Sequence, residues 1–370
     1  MTKKRRKYWV LGGVILFAAY IFAAARPIPR ETILVPQWLS SLESGYPVSM
    51  RRAAEEAGGV PEDQPLIPFR LGDRFGYASP AGLLPLNRIK TQNLFLSASY
   101  WAEYGAVPEE IEILKNTGER AFITGEDRAY PVMLEERLFL IGKDMDTLSA
   151  LDEEGKVLWS HDFAAPLTCI DGAAGFILTG SLDGVVEILD GNGERFFFFE
   201  PGGSRLSVIL GCSFSRDGNR LGIISGIDDQ RFLLLERYGD PARGEFRVIY
   251  HEFLGDGFRR PVHIAFIDND NRVAFERQGG LSIYDLRNRT NQIIPLEGRI
   301  SVMDGEGSEG VFFLILSREG MWKELVAIEL PGAVILRAPF RSDDTFLHRS
   351  GPRLYLGGGN VLAAFELEKR

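Results

Sequence analysis

From about residue 93 onward, apolar and polar positions alternate in a recurring unit: an apolar strand, a turn with Gly or Asp, then a second strand. The first strands fall at residues 94–96, 138–141, 176–178, 221–224, 273–275, 311–315 and 354–356. The second strands centre on Ile113, Ala150, Ile188, Leu234, Ile283, Ala327 and Ala364, at intervals of 37, 38, 46, 49, 44 and 37 residues. No helical period of useful length appears after residue 60. Runs such as residues 196–199 and 311–315 are apolar on both faces, as strands covered on both sides require. Asp183-Gly184, Asp217-Gly218 and Gly191-Asn192-Gly193 supply the turn chemistry of tight hairpins.

A unit recurring every 40–45 residues or so is the period of a four-stranded propeller blade. An antiparallel sandwich would alternate strands and turns without a unit that recurs seven times. The expected fold is therefore all-β: a β-propeller of seven four-stranded blades over residues 67–370. The last unit stops after its second strand, and residues 67–89 are expected to complete that blade, because an open edge invites aggregation.

The N-terminus follows a different pattern. Residues 8–25 carry no charge and as a helix would extend about 27 Å, close to the hydrocarbon thickness of a bilayer. The basic run Lys3, Lys4, Arg5, Arg6 and Lys7 precedes it, and Tyr8 and Trp9 stand where aromatic rings favour the headgroup level. The pattern predicts a cytoplasmic tail at 1–7 and a transmembrane helix at 8–25, anchoring a propeller outside the cytoplasm, in the periplasm. A cleavable signal peptide, ending at Ala23-Ala24-Ala25, is the competing reading. Residues 26–66 hold six prolines and read as a spacer, with short helical pieces at 37–42 and 49–57. Trp38 and Leu39 either pack locally or dock on a membrane neighbour.

Charge and chemistry narrow the function. Without the basic tail, residues 26–370 carry a formal charge of −14, against −9 for the whole chain, which argues against nucleic-acid binding. Neither a CxxC motif nor a zinc-spaced Cys/His cluster occurs. The four histidines lie singly, and no nucleophile motif accompanies them. Asp268-Asn269-Asp270-Asn271 lacks the spacing of a calcium loop and reads as a polar hairpin tip. Cys169, Cys212 and His263 take corresponding positions in three successive units, and a Cys169–Cys212 disulfide would need Cα atoms within about 7 Å. No catalytic, cofactor or metal site is expected.

The segment from Ala150 to Trp159 (ALDEEGKVLW) resembles the tryptophan-docking motif of quinoprotein-like propellers, A-x-D-x-x-T-G-K-x-x-W. Ala150, Asp152, Gly155 and Trp159 match it; one residue is missing before Gly155, where the family has Thr. A weaker copy starts at Ile188, while residues 212–218 and 263–266 resemble inner strands of WD40-like propellers. The resemblance implies a propeller in which the indole packs on a neighbouring blade. By size it points to the BamB-like members, which are non-enzymatic scaffolds; those are lipoproteins, and this chain has no cysteine after its apolar segment. Quinoprotein dehydrogenases use adjacent cysteines, which are absent here.

The leading expectation is a membrane-anchored scaffold for envelope proteins, binding through Trp101 and Tyr104, read as exposed aromatics of an insertion at residues 99–110. A sensor taking a small ligand or glycan in the central channel ranks second, and a propeller enzyme third.

Overall fold

The computed structural model describes residues 17, 20, 32–43, 65–125, 128–239, 244–255, 257–304 and 310–369. By compactness the chain divides into Met1–Val35 with Leu367–Arg370, and Pro36–Glu366; the second unit is the propeller.

Among the described residues the strands assort into eight sheets, seven of four strands and one of three. Blade 1 is the three-stranded one: Ile67–Leu71, Arg74–Ala78 and Leu86–Ile89. Blade 2 runs from Asn93–Leu96 to Arg120–Thr124, blade 3 from Ala129–Leu134 to Val157–Asp162, and blade 4 from Leu167–Ala173 to Arg195–Phe199. Blade 5 spans Ile209–Phe214 to Phe246–Gly255, blade 6 Ile264–Ile267 to Thr290–Pro295, and blade 7 Arg299–Met303 to Ala333–Arg341. Blade 8 takes Thr345–Ser350, Arg353–Gly358 and Val361–Lys369 from the C-terminus, and Thr32–Ser41 from the N-terminus.

Within each blade consecutive strands pair antiparallel, and first strands of neighbouring blades meet between blades 3 and 4, 4 and 5, 5 and 6, and 7 and 8. The first strand of blade 1 meets that of blade 8, which closes it. In blades 3 to 7 the second and third strands are buried almost throughout, as in Val186–Leu189 and Gly280–Asp285, because each is covered by the blades on either side. The fourth strands face outward and alternate, as in Phe246–Gly255.

Three expectations are corrected. The propeller has eight blades, not seven: residues 67–89 form a blade of their own instead of completing the last one. That completion comes from residues 32–41, expected to be spacer with a helical turn at 37–42. Pro36 is tolerated there because an outermost strand has a free edge that needs no amide donor. The proposed helical piece at 49–57 lies outside the described residues.

The third correction concerns the transmembrane helix and the single-pass, periplasm-facing location built on it. Among the described residues no helix is long and apolar enough to cross a membrane, whereas a span needs about 20 consecutive apolar residues. Lys3 to Trp9 lie outside the described residues; within 8–25 only Phe17 and Tyr20, both helical, are described. The anchor and the location that depends on it are therefore set aside.

Candidate functional site: one rim of the propeller

In an antiparallel four-stranded blade, the turn between strands two and three falls on the same face as the connection to the next blade. Backbone hydrogen bonds tie these two kinds of loop together around the ring. Arg128 N donates to Pro108 O (3.2 Å), Leu167 N to Met145 O (2.6 Å) and Leu182 N to Pro166 O (2.9 Å). Ile227 N donates to Leu206 O (3.2 Å), Leu296 N to Gly279 O (3.0 Å) and Ser342 N to Met321 O (2.9 Å). The rim is thus a set of loops whose backbone groups are already satisfied, which limits the ordering cost of docking.

The tips of these loops carry large apolar side chains. Val107, Met145, Leu182, Leu206 and Met321 are 39–55% exposed, and Trp322 stands beside Met321. Ile227 adds a half-buried apolar side chain in blade 5. Charged groups lie between them: Ser204 donates to the Asp228 carboxylate (2.5 Å), and this bond, with help from Arg205, holds Asp228 below the usual carboxylate range. Next to Trp322 a pocket of about 750 Å³ opens, lined by Glu297, Arg318, Lys323 and Glu324. The Arg341 guanidinium stands 5.7 Å from the Trp322 ring centre.

The opposite face has a different character. Its turns carry acidic side chains such as Glu135, Glu136, Glu153, Glu154, Asp190 and Asp217, as the rim loops do at Asp144, Asp146, Asp183, Asp228 and Asp229, and the difference lies in the apolar groups. Among the described residues, Tyr238 is the exposed large apolar side chain of those turns. The Asp268–Asp270 tip belongs here too: Asp268 pairs with Arg272, and the Asp270 carboxylate accepts the Arg216 amide (3.0 Å).

Of the two aromatics expected to bind a partner, Trp101 is buried between blades and Tyr104 ends the strand that leads into the 105–110 rim loop. Trp101 is 2% exposed, in the second strand of blade 2. Its ring lies 5.3 Å from Phe75 of blade 1, under the Arg88 guanidinium, and Nε1 donates to Lys115 O (3.0 Å). Tyr104 is half-buried at 6.0 Å from the Tyr130 ring, and burial raises its phenol pKa. Residues 100–104 are thus a blade strand, and the exposed position nearby is Val107. A reading based on aromatic content passed over the aliphatic tips, whose signal was their place between the second and third strands.

The residues of the tryptophan-docking motif lie at the junction of blades 3 and 4. Ala150 is buried opposite Trp159, and the Asp152 carboxylate accepts the amides of Glu154 (3.0 Å) and Lys156 (2.8 Å). Trp159 reaches into blade 4, where Nε1 donates to Gly191 O (3.0 Å) and the ring fills the space a Cβ on Gly193 would take. The same register position recurs opposite Ile113, Ile188, Leu234 and Ile283 as Phe122, Phe197, Tyr250 and Gln292. Phe122 sits on Gly155 and Gln292 on Gly332, while Phe197 meets Phe246 at 4.9 Å and Tyr250 meets Tyr284 at 4.1 Å. One docking position therefore serves five blade junctions, with a tryptophan at only one of them.

Cys169, Cys212 and His263 stand on or beside the first strands of blades 4, 5 and 6. Among the described residues no group of three His, Cys, Asp or Glu side chains is placed to hold a metal. Asp171, buried near the two thiols, accepts the Phe214 amide (2.7 Å) and the Gly172 amide (2.9 Å); burial pushes its carboxyl pKa up.

A ring of blades with exposed large apolar side chains gathered on one rim defines the class of a β-propeller. The family model described as "beta-propeller protein" matches residues 1–369, and the chain belongs to that family. A relative in Treponema pallidum (strain Nichols), described as an uncharacterized protein, is 25% identical over 367 residues, covering 99% of this chain and 95% of its own. Among solved structures, BamB from Moraxella catarrhalis aligns with TM-score 0.55 at 12% identity, over 90% of this chain and all of that one. The computationally designed Ika8 protein aligns with TM-score 0.58 at 13% identity, over 82% of this chain and 96% of that one. At such identities the likeness establishes the fold alone.

Proposed function

We propose that this protein is a non-enzymatic scaffold that binds a protein partner on the apolar rim. The observation that carries the reading is the asymmetry in exposed apolar side chains: Val107, Met145, Leu182, Leu206 and Met321 on the loop tips of one face, and Tyr238 among the described turns of the other. Exposed apolar groups cluster where surfaces meet partners, and rigid loops lower the cost of meeting them.

The test compares variants of the full chain carrying an affinity tag, isolated gently from native cells with and without crosslinking. Leu182→Glu with Leu206→Glu places two charges on the rim and leaves the core untouched. Loss of the stoichiometric partners captured by the wild type, with the melting temperature unchanged, supports the reading. Glu153→Lys with Glu154→Lys, on the opposite face, should keep those partners. The reverse pattern sinks the proposal.

A further inference from the structure

The two cysteines are brought together by the packing of blade 4 on blade 5. Cys169 lies in Leu167–Ala173 and Cys212 in Ile209–Phe214, the first strands of those blades. The strands are pinned on both sides of the pair. Thr168 Oγ1 donates to Ile209 O (2.5 Å), and Phe214 N donates to the Asp171 carboxylate (2.7 Å). Between these pins Cys212 sits in an apolar cluster and Cys169 packs against it. Gly180, the strand partner of Cys169, makes room for the sulfur: a Cβ there would come within 2.7 Å of it. Both thiols are free, Cys169 half-buried and Cys212 buried.

We propose that Cys169 and Cys212 form a redox couple that closes to an intrachain disulfide, stapling blade 4 to blade 5. The oxidant is a small-molecule disulfide of the glutathione type. The more accessible Cys169, as thiolate, attacks one sulfur of the oxidant; its S–S bond breaks and one thiol leaves, giving a mixed disulfide on Cys169. Cys212 then loses its proton and attacks the Cys169 sulfur, and the second small thiol leaves. Two protein thiols and one small disulfide become one protein disulfide and two small thiols. Bond formation brings the two sulfurs to about 2 Å of each other. The bond encloses residues 170–211, so it restricts the unfolded chain across a blade junction.

The experiment equilibrates the reduced full-length protein in buffers of graded reduced and oxidised glutathione, then alkylates it in denaturant. Mass spectrometry of the intact and digested chain should show a species two hydrogens lighter than the reduced protein, with no alkylated cysteine. One crosslinked peptide pair should contain Cys169 and Cys212. That species should melt several degrees higher, and dithiothreitol should remove the gain. Cys212→Ala should instead hold a glutathione adduct on Cys169. Alkylation of both thiols at every buffer ratio overturns the proposal. So does a wild type that accumulates the adduct without the crosslink, or one that crosslinks between chains.

Discussion

The indole of Trp38 occupies the space that a Cβ on Gly82 would need, at 2.7 Å from its ring atoms. Trp38 Nε1 also donates to Pro80 O at 2.9 Å. Trp38 belongs to the outermost strand of blade 8, Gly82 to the loop between Arg74–Ala78 and Leu86–Ile89 of blade 1. The contact therefore joins the two blades at which the ring begins and ends. Further bonds secure the same junction: Ser40 Oγ donates to Gly82 O (2.7 Å), and the Asn87 side-chain amide donates to Leu42 O (2.7 Å).

Trp38→Ala should consequently cost about 3–5 kcal/mol, the range for deleting a large buried aromatic. Denaturant unfolding is the measurement, and a lower midpoint at unchanged slope is the expected form. A loss within about 0.5 kcal/mol, the range of surface substitutions, would mean that blade 8 closes without this strand.

Gly193 tests the docking position independently. It has φ +81°, and a Cβ there would come within 2.5 Å of the Trp159 ring. Gly193→Ala should destabilise by more than about 1 kcal/mol through backbone conformation and displacement of the indole together. With Trp159→Ala in the same chain the two losses should not add, because they act on one contact. Additive losses would show that the indole holds its blade junction without Gly193.

The ion pair between Arg349 of blade 8 and Asp304 of blade 7 is 3.4 Å long, with both side chains almost fully buried. Arg349 also donates to Val311 O and, through Nε, to Gly351 O (3.0 Å). Asp304→Ala leaves a buried charge without its counterion and should cost about 3–5 kcal/mol. Replacing both, as Asp304→Leu with Arg349→Met, should recover most of that loss. If the double variant is no more stable than the single one, the pair's worth lies in the geometry of its hydrogen bonds.

How far the sequence could carry this depended on which strands advertise themselves. Second and third strands such as Val311–Ser317 are buried on both faces, and their apolar runs stand out. In blade 1 the equivalents are Arg74–Ala78 and Leu86–Ile89, short and interrupted by Gly76, Asn87 and Arg88, so an eighth unit did not register. The closing strand was hidden differently: one of its faces meets solvent, and Pro36 made it resemble a spacer. Trp159 marked its docking site because its motif is specific, whereas Phe122, Tyr250 and Gln292 do the same work without a recognisable type. The rim was illegible for a further reason. Lone aliphatic residues such as Val107 and Leu182 gain meaning only once the ring gathers them on one face.

His263 adds a pH dependence whose sign follows from burial. Burial lowers its imidazole pKa below the ordinary 6.5, Arg260 and Arg299 act in the same direction, and Glu276 opposes them. As pH falls below 6.5, the unfolded chain takes up a proton at this position that the folded chain refuses. The unfolded state then binds more protons, so stability falls from about pH 6.5 down to the folded pKa, then changes no further on account of this group. His263→Gln removes the titration and should flatten that segment of the stability curve relative to wild type. The comparison isolates His263 from Asp171, whose raised pKa has the opposite effect: its contribution is lost as pH rises through the folded value. Denaturant midpoints measured at intervals from pH 7.5 to roughly pH 4.5 would check this, and parallel curves for the two proteins would refute it.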